Sequence, residues 1–170
     1  MFKPIKIFVR SVEATNTVVG IFSMYLIFAL GGILLFESLS RTIFDLPHIW
    51  AVEIAQFIMA AYYLLGGGYS MIIDGHVRMD LLYGRWTKQR RAVADLITGP
   101  ILIFYMVVLL IGSISSLDYA IEYNQVNYTS WGPPLTPIKL IMTIGIILML
   151  LQCIAEWFKD LATALGRKIK

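Results

Sequence analysis

The sequence predicts an all-α membrane protein: four transmembrane helices, an N-terminal amphipathic helix in the membrane interface, and both termini in the cytoplasm. Three observations lead to this prediction. Of the 170 residues, 58% are hydrophobic and 15% are charged, whereas charged residues make up about 25% of an ordinary soluble domain. Four stretches approach the roughly 20 apolar residues that cross a bilayer. Most of the basic residues lie before the first stretch, between the second and the third, and after the fourth.

The first predicted element is an amphipathic helix over residues 2–16. Its apolar residues recur at helical spacing, and the basic residues fall largely between them: Phe2, Ile5, Phe8, Val9 and Val12 against Lys3, Lys6 and Arg10. This pattern favours a helix that lies in the cytoplasmic interface. The alternative is a plain helical extension of the first span.

The four spans follow in one domain that covers residues 1–170. We expect them at about 18–40, 50–73, 94–118 and 137–158. They must be helices, because lipid offers backbone groups no hydrogen-bonding partners. No small-residue cleavage site follows the first apolar stretch, so we expect it to be retained as a span. Lys139 lies near the start of the fourth span and can snorkel to the interface.

The distribution of basic residues sets the orientation. The N-terminal segment carries three of them, the loop after the second span five and the tail four, which together are 12 of the 14. The positive-inside rule therefore predicts cytoplasmic termini in a bacterial inner membrane. The tryptophans fall at or beyond predicted span ends, as in an aromatic belt: Trp50, Trp86, Trp131 and Trp157.

The residue inventory argues against several kinds of chemistry. The single cysteine, Cys153, excludes an intramolecular disulfide and a thiolate metal cluster. The two histidines lie near span ends without helical pairing, and no phosphate-binding loop is present. We therefore expect no enzymatic activity, no cofactor and no metal. Because the basic residues flank apolar spans, they indicate contact with membrane lipid and not with nucleic acid.

Polar residues near the span ends suggest contacts between helices or subunits. Glu37 and Arg41 have the i,i+4 spacing of a helical ion pair, and Glu53 opens the second span. Either an ion-pair network fixes the hairpin between spans one and two, or these residues contact a partner subunit. A proton-carrying carboxylate is a further alternative, although it should lie deeper. Gly66-Gly67-Gly68 would let another helix approach closely, and Gln56, Gln152 and Thr143 could hydrogen-bond between helices.

Three motifs give the chain a family resemblance. The second span opens with Trp50-Ala51-Val52-Glu53 and is followed by Asp74-Gly75-His76-Val77-Arg78-Met79-Asp80. The second motif is similar to a G-x-H-(I/V)-x-(V/M)-D signature. Residues 129–152 resemble a Ser/Pro-rich approach to an (M/I)-P-I-G-x-x-L-M-x-L-Q helix, with Thr143 where many members have proline. Over its whole length the chain resembles the small, DctQ-type membrane subunit of tripartite ATP-independent periplasmic (TRAP) transporters.

The resemblance implies a role without chemistry of its own. In this family a periplasmic binding protein delivers an organic anion to a large, sodium-coupled membrane subunit that moves as an elevator. The small subunit packs against the large one as scaffold and helps to dock the binding protein. The expected contacts with the large subunit are Glu37, Arg41, Trp50, Glu53, Gly66, Gly67, His76, Arg78 and Asp80. Asp118 and Glu122 are expected to contribute to binding-protein docking.

Other functions remain as alternatives. A self-sufficient four-helix exporter would work as a homodimer around a mid-helix glutamate, but Glu37 lies at the end of its span. A membrane enzyme would need clustered polar or histidine ligands at a cleft. A scaffold for some other complex is the third alternative. Only the family resemblance favours a transporter subunit over it.

Overall fold

The computed structural model describes residues 3–73, 75 and 87–164, and four α-helices account for most of them. They are α1 (Lys3–Phe44), α2 (Ile49–Ile72), α3 (Lys88–Glu122) and α4 (Thr136–Ala164). Each helix is long and apolar enough to cross a membrane, with mean hydropathies of 2.4, 1.5, 2.3 and 2.3 over their most apolar windows. The predicted all-α class with four helices of spanning length is confirmed.

Helix α1 is longer than a membrane span requires. Its 42 residues correspond to about 63 Å at 1.5 Å per residue, twice the roughly 30 Å of a hydrocarbon core. The segment predicted as a separate interfacial helix is continuous with the first span. Val9 and Val12 pack against Ala155 of α4, and Ile5 and Phe158 contact the same cluster. The position of this segment relative to the membrane surface remains a prediction.

The helices pack as two hairpins joined through α4. Helix α1 packs along α2, α3 packs mainly along α4, and α4 also packs against α2 and, less extensively, against α1. Helix α4 therefore lies at the centre, and α3 lies at one edge of the molecule.

Two glycines allow the helices to approach closely. A Cβ atom at Gly145 of α4 would lie 2.7 Å from the backbone oxygen of Leu64 in α2. A Cβ atom at Gly20 of α1 would overlap the Tyr69 side chain of α2. At both positions a larger residue would force the helix axes apart.

The α3–α4 contact is organised around a proline inside α3. Pro100 has no N–H group, so the carbonyl of Leu96 loses its usual helical donor. The indole Nε1 of Trp157 in α4 donates to that carbonyl at 3.2 Å. Gly99 makes room for the ring, because a Cβ atom there would lie 2.6 Å from Trp157 Cδ1.

The connection between α3 and α4 is an ordered loop. Asn124 adopts a left-handed φ of 44°, and the N–H of Gln125 bonds back to the carbonyl of Ala120 at 3.1 Å, which ends the helix as a Schellman motif. An antiparallel bridge then pairs Val126 with Pro134. At its turn Gly132 has a φ of 58°, a conformation that favours glycine.

Candidate functional site

The end of α1 is joined to the start of α2 by Glu37. Its carboxylate accepts hydrogen bonds from the Arg41 guanidinium at 3.2 Å and from the backbone N–H of His48 at 3.1 Å. The His48 Nδ1 atom lies 3.3 Å from the same carboxylate. The carboxylate thus satisfies a free N–H group at the N-terminus of α2. The ion pair expected from the i,i+4 spacing is present and ties the first hairpin together.

Aromatic rings cover this junction. The ring of His48 lies 5.3 Å from Phe36 and 5.8 Å from Trp50, between centroids. Trp50 and Phe36 are 6.2 Å apart. Since Trp50 is half-buried and the Arg41 side chain is 62% exposed, the outward part of this cluster is accessible to a neighbouring molecule.

Glu53 lies inside the chain's own packing. It is 5% exposed, and neither carboxylate oxygen has a hydrogen-bond partner in the described residues. Leu64 of α2 lies beside Gly145 of α4, and Met71 lies beside Cys153. With the same offset between the two helices, Glu53 lies level with the start of α4. An unpaired buried carboxylate carries an uncompensated desolvation cost.

The three successive glycines of α2 have three different surroundings. A Cβ atom at Gly68 would overlap the Asn16 side chain of α1, and one at Gly67 would lie 3.3 Å from Met149 Sδ of α4. A Cβ atom at Gly66 would meet nothing within 4 Å. Of the two glycines expected to contact a partner, Gly66 is therefore the one with free space around it.

A polar network joins α1 to α4 through Gln152, for which the sequence predicted a hydrogen bond between helices, and through Asn16, which the sequence did not single out. Asn16 is fully buried and donates to Gln152 Oε1 at 3.0 Å, and Gln152 donates to Glu156 at 2.9 Å. Lys159 then pairs with both Glu156 and Glu13 at 2.7 Å. The available signal was spacing, because Asn16 follows Val9 and Val12 on one helical face.

The Asn16 side chain also explains the role of Gly68. Its Oδ1 atom has no hydrogen-bond partner among the described residues and would overlap a Cβ atom at Gly68. The oxygen therefore occupies space that only a glycine leaves free. Helices α1, α2 and α4 meet at this point.

The two residues expected to help dock the binding protein lie near the end of α3. Asp118 and Glu122 are exposed and border a shallow hollow of about 600 Å³. The hollow is flanked by Tyr119 and Tyr123, whose ring centroids are 4.5 Å apart. In the loop that follows, Tyr128 is 98% exposed.

The remaining expected contacts, His76, Arg78 and Asp80, lie outside the described residues. Among the residues that are described, no group of three or more His, Cys, Asp or Glu side chains could hold a metal ion.

The family comparison places the chain among transporter components. The family model described as "Tripartite ATP-independent periplasmic transporters, DctQ component" matches residues 30–163, which include the last third of α1 and nearly all of the other three helices. No curated protein matches the chain. Because the match covers well over half of the sequence, the chain belongs to the DctQ family of TRAP transporter components.

Proposed function

We propose that this protein is the small permease subunit of a TRAP transporter in a bacterial inner membrane. It serves as scaffold for a large, sodium-coupled elevator subunit that imports an organic acid delivered by a periplasmic binding protein. The observation that carries the proposal is the family match over residues 30–163. The substrate class follows from the resemblance: a carboxylate such as sialic acid, a dicarboxylate or a keto acid.

The internal hydrogen bonding suits a scaffold. The buried pairs Asn16–Gln152 and Ser113–Thr143 join helices of this chain, at 3.0 Å and 2.6 Å. These polar groups therefore serve helix–helix packing, as is typical of membrane bundles. Substrate and sodium sites would lie in the large subunit.

The proposed contacts with the large subunit fall in two regions. The first is the α1–α2 junction, where Arg41 and Trp50 are accessible, Glu37 pairs with Arg41, and Glu53 is buried one helical turn after Trp50. The second is Gly66 and Gly67 on α2, together with the signature residues His76, Arg78 and Asp80. With both termini in the cytoplasm, the α1–α2 junction and the α3–α4 loop would face the periplasm.

Co-purification tests the proposal most directly. The tagged chain is co-expressed with the large membrane protein encoded beside it and isolated in mild detergent. We expect a one-to-one complex that takes up substrate in proteoliposomes only with sodium and the binding protein. A homodimer of this chain that transports alone would overturn the proposal and favour the exporter.

Docking of the binding protein at α3 gives a separate prediction. Reversing two exposed charges with Asp118→Lys and Glu122→Lys should lower uptake at limiting binding protein by about tenfold, because rim charges govern association. Uptake should recover when binding protein is in excess. The control adds two positive charges at exposed positions near the start of α1, with Ser11→Lys and Ala14→Lys, and should not change the dependence on binding-protein concentration. If the double variant and the unaltered chain reach half-maximal uptake at the same binding-protein concentration, α3 is not part of the docking surface.

A further inference from the structure

Helix α2 is the least apolar of the four spanning helices, and the buried Glu53 explains only part of this. Its best window has a mean hydropathy of 1.5, against 2.3 for α4. Yet only 22% of that window is buried inside the chain, compared with 28% for α4. A helix surrounded mostly by lipid should be at least as apolar as one surrounded by protein. Some of the outer surface of α2 is therefore suited to contact with protein.

An exposed stripe of residues runs along α2 and contains the carboxamide of Gln56. Val52, Gln56, Met59, Tyr63 and Gly66 follow the alternating four- and three-residue spacing of a heptad seam. Val52 is 46% exposed, Met59 44% and Tyr63 68%, and Gln56 is also exposed. We call these five residues the α2 stripe. Its spacing suits a second helix crossing at about 20°.

The exposed side chain of Gln56 indicates whether this face of α2 contacts protein or lipid. It lies seven residues after the first residue of a 24-residue helix, which is about 7 Å from the helix centre at 1.5 Å per residue and within a hydrocarbon core of roughly 30 Å. Of the carboxamides described within helices, Asn16 and Gln152 are buried and bonded to each other. Gln56 has no hydrogen-bond partner in the described residues. An exposed amide at this depth favours a partner from another protein, because lipid offers it no hydrogen bond.

The exposed faces of α1 and α3 have a different composition. Large apolar side chains dominate them, among them Phe22, Phe28, Leu35, Ile101 and Phe104. Tyr25 and Tyr105 are also exposed there, but the described side chains on these faces include no carboxamide. These faces suit lipid acyl chains.

A groove extends the α2 stripe toward the cytoplasmic half of the molecule. It has a volume of about 530 Å³, lies between α1 and α2, and is lined by Tyr63 and Gly66 from the stripe and by Gly20 and Met24 from α1. Because nothing lies within 4 Å of a Cβ at Gly66, a partner helix can approach the backbone of α2 there. Small residues that permit such approach are typical of membrane helix interfaces.

We propose that the α2 stripe seats a membrane-spanning helix of the large TRAP subunit, with Gln56 hydrogen-bonded across the interface and Gly66 at the point of closest approach. This inference rests on the proposed function, since the partner is the one that function requires. The DctQ family is one component of a tripartite system, which favours a heterologous helix over a second copy of this chain.

Photo-crosslinking tests the position of the partner. The photoreactive residue p-benzoylphenylalanine replaces Tyr63 on the stripe, and Phe28 or Phe104 in matched controls on α1 and α3. In membranes that contain both subunits, Tyr63 should give a crosslink to the large subunit, and the two controls should not. A product at twice the mass of this chain, equal crosslinking from the controls, or no product from Tyr63 would each overturn the inference.

A pair of glycine variants provides a second test. Gly66→Leu and Gly112→Leu both replace a helical glycine that has nothing within 4 Å of its Cβ position, so both chains should fold alike. Gly66→Leu should reduce the large subunit recovered on purification at least tenfold, and Gly112→Leu should leave it unchanged. Equal recovery with both variants would overturn the inference.

The two proposals fail in different ways. If the unaltered chain recovers no large subunit, the proposed function fails. If it does recover the large subunit while Tyr63 gives no crosslink and Gly66→Leu has no effect, the α2 stripe alone is wrong.

Discussion

Trp157 supplies the hydrogen bond that Pro100 removes from α3. A proline inside a membrane helix is tolerated when neighbouring groups satisfy the freed carbonyl, and here the donor comes from the adjacent helix at 3.2 Å. The residues Gly99, Pro100 and Trp157 therefore act together. The position of Trp157 near a span end is typical of an aromatic belt, and its indole also joins α4 to α3.

This arrangement predicts a double-mutant cycle. Trp157→Phe keeps an aromatic ring but leaves the Leu96 carbonyl without a donor, and should lower the free energy of unfolding by about 1 kcal/mol. In a Pro100→Ala background residue 100 regains its N–H group, so the same change should cost at most half as much. Reversible unfolding in detergent measures both values. Trp131→Phe, at an indole that is 46% exposed, is the control and should change the free energy by less than about 0.5 kcal/mol. Equal costs of Trp157→Phe in the two backgrounds would contradict the explanation.

At the scale of elements, close backbone approaches set how the helices pair. Helices α2 and α4 meet where Gly145 lies against the Leu64 carbonyl, and α1 meets both of them where Asn16 fills the space beside Gly68. The first junction places a glycine against a backbone carbonyl, and the second combines a glycine with a buried carboxamide. This combination is typical of membrane proteins, where packing and hydrogen bonds replace the hydrophobic effect between helices.

Gly145 gives a prediction for the α2–α4 pair. Gly145→Ala should destabilise the chain by about 1–3 kcal/mol, because its Cβ atom would lie 2.7 Å from a backbone oxygen that cannot rotate away. Gly112→Ala, with open space at the Cβ position, should be neutral or slightly stabilising. Thermal unfolding of both variants in the same detergent makes the comparison. A Gly145→Ala chain as stable as the Gly112→Ala chain would contradict this account.

The sequence predicts the local features of these helices, but it does not predict how the helices pair with one another. Hydropathy predicted four spanning helices, and the i,i+4 spacing predicted the Glu37–Arg41 pair. The Asn16–Gln152 bond joins residues 136 positions apart, and no local pattern encodes such a separation. The amphipathic pattern of residues 2–16 fits both a surface helix and an extension that packs on α4. Likewise, only tertiary packing distinguishes Gly66 from Gly68.

At the scale of the whole molecule, the chain exposes most of its apolar surface. Between 11% and 28% of the residues in each spanning window are buried within the chain, and α3 packs mainly on one neighbour. The broad outer faces must therefore be covered by lipid and by other subunits. This open arrangement suits a scaffold.

Orientation in the membrane is the prediction at this scale. A membrane-impermeant maleimide should label Tyr128→Cys in intact spheroplasts, because the exposed α3–α4 loop should face the periplasm. Arg10→Cys, exposed near the start of α1, should be labelled only after permeabilisation. The native Cys153 is 4% exposed and provides the unreactive background. The reverse labelling pattern would invert the proposed topology.

The Asn16–Gln152 bond has a consequence for biosynthesis. The two partners are separated by 136 residues, which the ribosome adds in roughly 7–27 s at 5–20 residues per second. Helices α1 and α2 are both complete before Gln152 is made, so the Asn16 amide lacks its partner while they insert. The nascent chain therefore passes through a state in which α1 and α2 are inserted but are not yet packed on α4. Helix α4, made after the other three helices, completes the core.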